Sequence, residues 1–95
     1  MEKENQNQNG YNFLSTDKIY VLVSRGDLGM AFKATIHLSS EYKSIWTDVI
    51  LLSSEYHCTK KEYLRGLIKR KKWLRERQGI ALRLLEILED IEASP

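Results

Sequence analysis

The residues of this chain best suited to chemistry concentrate between Lys60 and Arg77. There Lys60, Lys61, Arg65, Lys69, Arg70, Lys71, Lys72, Arg75 and Arg77 stand against only Glu62 and Glu76. The block carries a local charge of +7 in a chain of net charge +2, which leaves −5 for everything else. Charge divided in this way attracts an anionic partner more strongly than the net value implies. Read as one helix, Lys61, Arg65, Lys69, Lys72 and Glu76 are three or four residues apart and form a ridge that can run beside a phosphate backbone. Arg70 and Arg75 lie beside it. On the same wheel Trp73 falls opposite Leu64, Leu67 and Ile68, among cations, and an exposed indole there stacks on an unpaired base, an interaction worth ~1–3 kcal/mol. The expected activity is non-catalytic binding of nucleic acid through Lys61, Arg65, Lys69, Arg70, Lys72, Trp73 and Arg75, with the type of nucleic acid unspecified.

Other chemistries lack parts. His37 and His57 are the only histidines and Cys58 the only cysteine, so Glu55, His57 and Cys58 could hold a metal only by recruiting ligands from elsewhere. Neither a metal nor a cofactor is expected. In an extended segment His57 and Cys58 point to opposite sides, which denies the thiol a base. Placed just before a helix N-terminus, Cys58 is expected to have a lowered pKa and some redox sensitivity. With no paired carboxylates or nucleophile–base constellation, an enzyme is not expected. The lone cysteine excludes an intrachain disulfide and suits a reducing compartment. The chain has no apolar run near the ~18 residues needed to span a bilayer, and its first ten residues lack the apolar stretch of a signal peptide. A cytoplasmic protein is expected. A membrane-lying helix is disfavoured because Lys71 falls inside the apolar face and Trp73 outside it.

The elements that must position these residues are read from periodicity. Residues 1–12 form a polar tail expected to be disordered, because Met1 to Asn9 offer no apolar residue after Met1. Residues 13–95 read as one α+β domain. Ile19 to Val23 is a β-branched run ending at Ser24-Arg25-Gly26-Asp27, a strand and turn over about 18–24. The turn also explains the Arg-Gly-Asp tripeptide. Met30, Phe32, Ala34, Ile36 and Leu38 alternate, predicting a second strand over 29–38, and Ile45 to Leu52 a third over 45–52. The short connection after the first strand implies an antiparallel meander. Thr59 and Glu62 are spaced as a capping box, so a helix is predicted over about 59–92, kinked or ended at Gly79. Leu38-Ser39-Ser40-Glu41-Tyr42 recurs fourteen residues later as Leu52-Ser53-Ser54-Glu55-Tyr56. Two short copies are read as similar strand exits rather than a repeat.

After Gly79 the apolar surface is wider than one stripe. Ala81, Leu85 and Leu88 continue the first half's face, while Ile80, Leu84, Ile87 and Ile91 form a second, rotated stripe. That stripe needs a partner, either the first half of the helix folded back or the same helix of another chain. The alternative function is therefore a protein-interaction module, an inhibitor or adaptor, acting through Ile80, Leu84, Ile87 and Ile91 and the nearby acidic surface, with a homodimer as one form.

Two local resemblances carry limited implications. Tyr20 to Met30, YVLVSRGDLGM, resembles the first strand and turn of type 2 peptidyl-tRNA hydrolases. That family's Asp-Ala-Gly segment is missing, so the resemblance does not extend to the activity. Three strands followed by a helix starting Thr59-Lys60-Lys61-Glu62 are similar in order to the second part of double-stranded-RNA-binding domains, whose last helix starts with phosphate-binding lysines. Their first helix has no counterpart here.

Overall fold

The computed structural model describes residues 15–94, and every regular element among them is an α-helix. Helix α1, Thr16–Ser24, starts where the Ser15 hydroxyl accepts the Lys18 N–H at 3.4 Å, with Asp17 in the first turn complementing the helix dipole. It ends at Gly26, whose φ of 82° is the left-handed conformation that a side chain opposes. There the Gly26 N–H donates to Val23 O at 3.0 Å and the Asp27 N–H to Leu22 O at 2.9 Å, the paired bonds of a Schellman motif. Helix α2, Leu28–Leu38, follows at once. Helix α3, Lys43–Leu64, closes with the same device: Gly66 has φ 77°, its N–H donates to Tyr63 O at 3.0 Å, and the Leu67 N–H donates to Glu62 O at 2.9 Å. Helix α4, Arg70–Ala93, completes the chain of elements.

The helices close a ring, α1 on α2, α2 on α3, α3 on α4 and α4 back on α1. Into it point Ile19 from α1, Leu28, Ala31 and Phe32 from α2, Val49, Leu52 and Tyr56 from α3, and Ile80, Leu84, Leu88 and Ile91 from α4. Their spacings are helical: 28, 31, 32, 35 on α2, then 49, 52, 56 on α3 and 80, 84, 88, 91 on α4. Thr35 is buried among them without penalty because its hydroxyl donates to Ala31 O at 2.7 Å. At 1.5 Å per residue α3 and α4 run about 33 and 36 Å, roughly twice the length of α1 and α2. Arg77 Nη2 donates to Gly26 O at 2.7 Å, and Thr16 Oγ1 donates to Glu92 Oε2 at 2.8 Å. Helix α1 thus lies antiparallel along α4 between those points. The α3–α4 turn and its flanking helix turns project beyond the α1–α2 turn, which gives the molecule its 51 Å long axis.

The α+β class is corrected: residues 18–24, 29–38 and 45–52 are helical, and no strand occurs among the described residues. The alternation from Met30 to Leu38 treated Ala31 and Thr35 as outward residues. Both are buried, while Met30 is 44 % exposed. Small side chains at 31 and 35 let α2 sit close to its neighbours, and they belong to the core face. The β-branched run of α1 costs only a fraction of a kcal/mol per residue in helix propensity, less than burial of Ile19 returns. Thr59 does not cap a helix: it lies inside α3, with its hydroxyl donating to Glu55 O at 2.9 Å. Gly79 does not end α4, which runs through it, and the break falls instead at Arg65–Lys69. The two LSSEY segments differ: one closes α2 and turns, the other is interior to α3. The two local resemblances, both drawn on strands, fall with the sheet. The predicted polar tail of residues 1–12 lies outside the described residues.

Candidate functional site

The projecting tip gathers the basic block. Lys61 and Arg65 come from the end of α3, and Lys69, Arg70, Lys72 and Arg75 from the start of α4; all six are exposed. The sequence groups these residues correctly, but the structure delivers them differently. Because the chain reverses at Gly66, the predicted ridge is split between two antiparallel helices and becomes a ring around the turn. None of these cations forms an ion pair among the described residues, where the single ion pair, Arg83–Glu55 at 3.0 Å, lies farther down the hairpin.

Within the ring stand Leu64, 71 % exposed, and Leu67, 68 % exposed, one closing α3 and the other in the turn. Leu74 on the first turns of α4 is also exposed. The expectation that Leu64 and Leu67 cover the core while Trp73 is exposed is inverted. Trp73 is buried, stacked on Tyr63 with centroids 5.4 Å apart and planes 7° apart. It also meets Tyr56 at 6.0 Å, and Tyr56 meets Phe32 at 5.5 Å. This aromatic column extends the core from α2 into the tip and holds the two helices of the hairpin together. No base-stacking platform remains.

The second set of predicted contacts also lies elsewhere. Ile80, Leu84 and Ile91 are buried in the chain's own core, and Ile87 is half-buried against it. The stripe does need a partner, and the hairpin itself supplies one: α3 folds against α4, and α1 closes over both. Cys58 sits inside α3 and is exposed, far from any helix start. His57 Nδ1 lies 2.8 Å from Ser53 O, a local contact along the same helix. Among the described residues no three His, Cys, Asp or Glu side chains are close enough to share a metal ion, and no helix is long and apolar enough to cross a membrane.

At the opposite end the charge is negative and already engaged. Glu92 accepts from Thr16 Oγ1 and, at 3.3 Å, from the Tyr20 hydroxyl. Burial, then the charges of Glu92, Glu89 and Asp17, push the Tyr20 phenol above its ordinary value.

The family model for effector-associated domain 11 matches residues 15–92. The chain belongs to this family. The match starts at the N-cap of α1 and ends in the last turn of α4, so it covers the whole four-helix ring. Comparison with curated proteins and with solved structures gives no match. Membership of an effector-associated family points to a protein partner. The nucleic-acid reading is corrected with it: the continuous ridge is broken, Trp73 is buried, and neither the structure nor the family supports it.

Proposed function

We propose that this effector-associated domain is a non-catalytic protein-interaction module that docks a partner protein on the α3–α4 tip. The partner element is an acidic amphipathic segment, its apolar side chains set against Leu64 and Leu67 and its carboxylates against the surrounding Lys and Arg ring. One observation carries this reading. The ring of helices closes on its own core, yet two leucines about 70 % exposed stand at the turn, ringed by cations that form no ion pair among the described residues. Scattered exposed leucines are ordinary. Leucines seated inside a concentrated charge of one sign define a partner by complementarity, through steering and register.

The test is fluorescence anisotropy with a labelled helical peptide of leucine and glutamate, the same peptide with lysine for glutamate, and duplex DNA. The acidic peptide is expected to bind saturably and to weaken as salt rises past physiological strength, where screening acts over ~8 Å. Leu64→Ser/Leu67→Ser and Lys69→Glu/Lys72→Glu should each lower affinity at least tenfold with little change in melting temperature, since all four positions are exposed. Equal binding of the lysine peptide, or binding unaffected by the leucine substitutions, would refute the proposal. DNA binding that depends on the lysines alone would also refute it.

A further inference from the structure

We propose that a pocket between the α1–α2 turn and α4 is a receptor for a carboxylate carried next to a branched apolar side chain, and that it forms the anchor subsite of the docking surface; this rests on the docking reading above. The pocket, about 330 Å³, is walled by Val23, Leu28, Leu74 and Ala81, with Arg77 and Gln78 at its polar edge. Leu74 connects it to the basic tip.

The decisive feature is how Arg77 is held. Its guanidinium is half-buried and donates through Nη2 to Gly26 O at 2.7 Å. A Cβ at Gly26 would come within 2.6 Å of that same nitrogen, so a side chain there would make the guanidinium shift. Gly26 also has the positive φ on which the turn depends. The turn and the arginine thus fix each other. A guanidinium carries five N–H donors in a planar fork, and the Gly26 carbonyl occupies one direction. A fork fixed at the rim of an apolar pocket, with donors to spare, has lost little further freedom when it meets a carboxylate. Gln78 adds an amide beside it. The walls take a leucine-sized group, and the fork takes the acid.

The probe is 4-methylpentanoate, which joins a leucine-like end to a carboxylate, with 4-methylpentanamide as the neutral counterpart. Methyl and arginine Nε NMR spectra of the folded chain are recorded during titration. Saturable shifts are expected at Val23, Leu74 and Ala81 methyls and at Arg77 Nε–H, in the millimolar range proper to a small fragment. The amide should bind at least tenfold more weakly. Ala81→Leu fills the pocket while keeping Gly26 and the Arg77 fork in the chain, and should abolish the shifts; Arg77→Lys, which keeps the charge but loses the fork, should weaken them several-fold. No saturable shift, equal binding of the amide, or shifts confined to Leu64 and Leu67 would overturn the assignment.

The acidic peptide separates this failure from failure of the docking reading. Affinity lowered at least tenfold by Ala81→Leu supports the pocket as anchor. Affinity unchanged in Ala81→Leu but lost in Leu64→Ser/Leu67→Ser overturns the anchor and leaves the tip standing. Peptide that fails to bind, with 4-methylpentanoate still in the pocket, overturns the docking reading and the anchor role while the carboxylate receptor stands.

Discussion

Trp73→Ala tests the packing at the base of the tip. Trp73 is 9 % exposed, and a tryptophan buries ~150–250 Å² in such a setting. At about 25 cal/mol per Å², less what alanine still buries, the loss is ~3–4 kcal/mol. The stacked contact with Tyr63 adds about 0.5–1.5 kcal/mol beyond area, and the total falls within the ~3–5 kcal/mol measured for Trp or Phe truncations. A chain with about 80 ordered residues has roughly 4–12 kcal/mol in all. The substitution should therefore remove a large part of the stability and lower the melting temperature by roughly 12–40 °C, at about 4–8 °C per kcal/mol over ~3–5 kcal/mol. Circular dichroism at 222 nm measures the melt. In a Trp46→Phe background, which leaves Trp73 as the sole indole, emission should be blue-shifted in the native state and move to the red on urea unfolding. A melting shift under about 3 °C, or solvent-like emission before unfolding, would place the indole outside the bundle and refute the aromatic column.

The glycines are predicted to separate by environment, all read by thermal or urea melts. Gly66→Ala should cost about 1–2 kcal/mol, the price of a side chain at positive φ, since nothing else lies within 4 Å of the added methyl. Gly26→Ala should cost more, because the same backbone strain is joined by displacement of Arg77. Gly79→Ala, mid-helix and open, should stabilise by about 0.5–1 kcal/mol. The raised pKa of Tyr20 means that its contribution is fully present below the ordinary value of 10 and is lost as pH rises through the higher folded value. Alkaline melts should accordingly show a steeper loss of stability above pH 10 in the native chain than in Tyr20→Phe.

The charge organisation was legible in the sequence, and the helical topology was not, for reasons traceable to particular residues. The basic block at 60–77 is a property of composition and survives any fold, although its members sit on two helices. The break was misplaced because Gly79 was weighed by helix propensity alone. Arg65-Gly66 went unread, although a glycine followed by an apolar residue is what a Schellman ending requires at C′ and C″. Counting only large side chains at every second position of 30–38 suggests strands; counting every buried residue, Ala31, Ala34 and Thr35 with Leu28 and Phe32, gives a helical face. The LSSEY pair shows the limit of local reading, since one copy ends a helix at Leu38 and leads through a turn to the N-cap Tyr42, while the other continues a helix through Tyr56. Tyr56 has Phe32 and Trp73 to pack against. Contacts distant in sequence decide between the two conformations, and nothing within five residues encodes them.

The two ends of the molecule also differ in what their charges already do. At the α4 C-terminus Glu92 is satisfied within the chain by Thr16 and Tyr20, which fastens α1 in place. No buried side-chain polar atom among the described residues lacks a partner, so the core makes no demand on a second molecule. The cations of the tip have no comparable duty. Among the described residues they brace no helix through an ion pair, and the aromatic column from Phe32 to Trp73 holds the hairpin without them. A bundle this small has little stability to spare, and like charges crowded at one end reduce it. An acidic partner that seats its apolar side chains on Leu64 and Leu67 would turn that repulsion into attraction, so the bound state gains from both terms. The tip is where association has most to offer this fold.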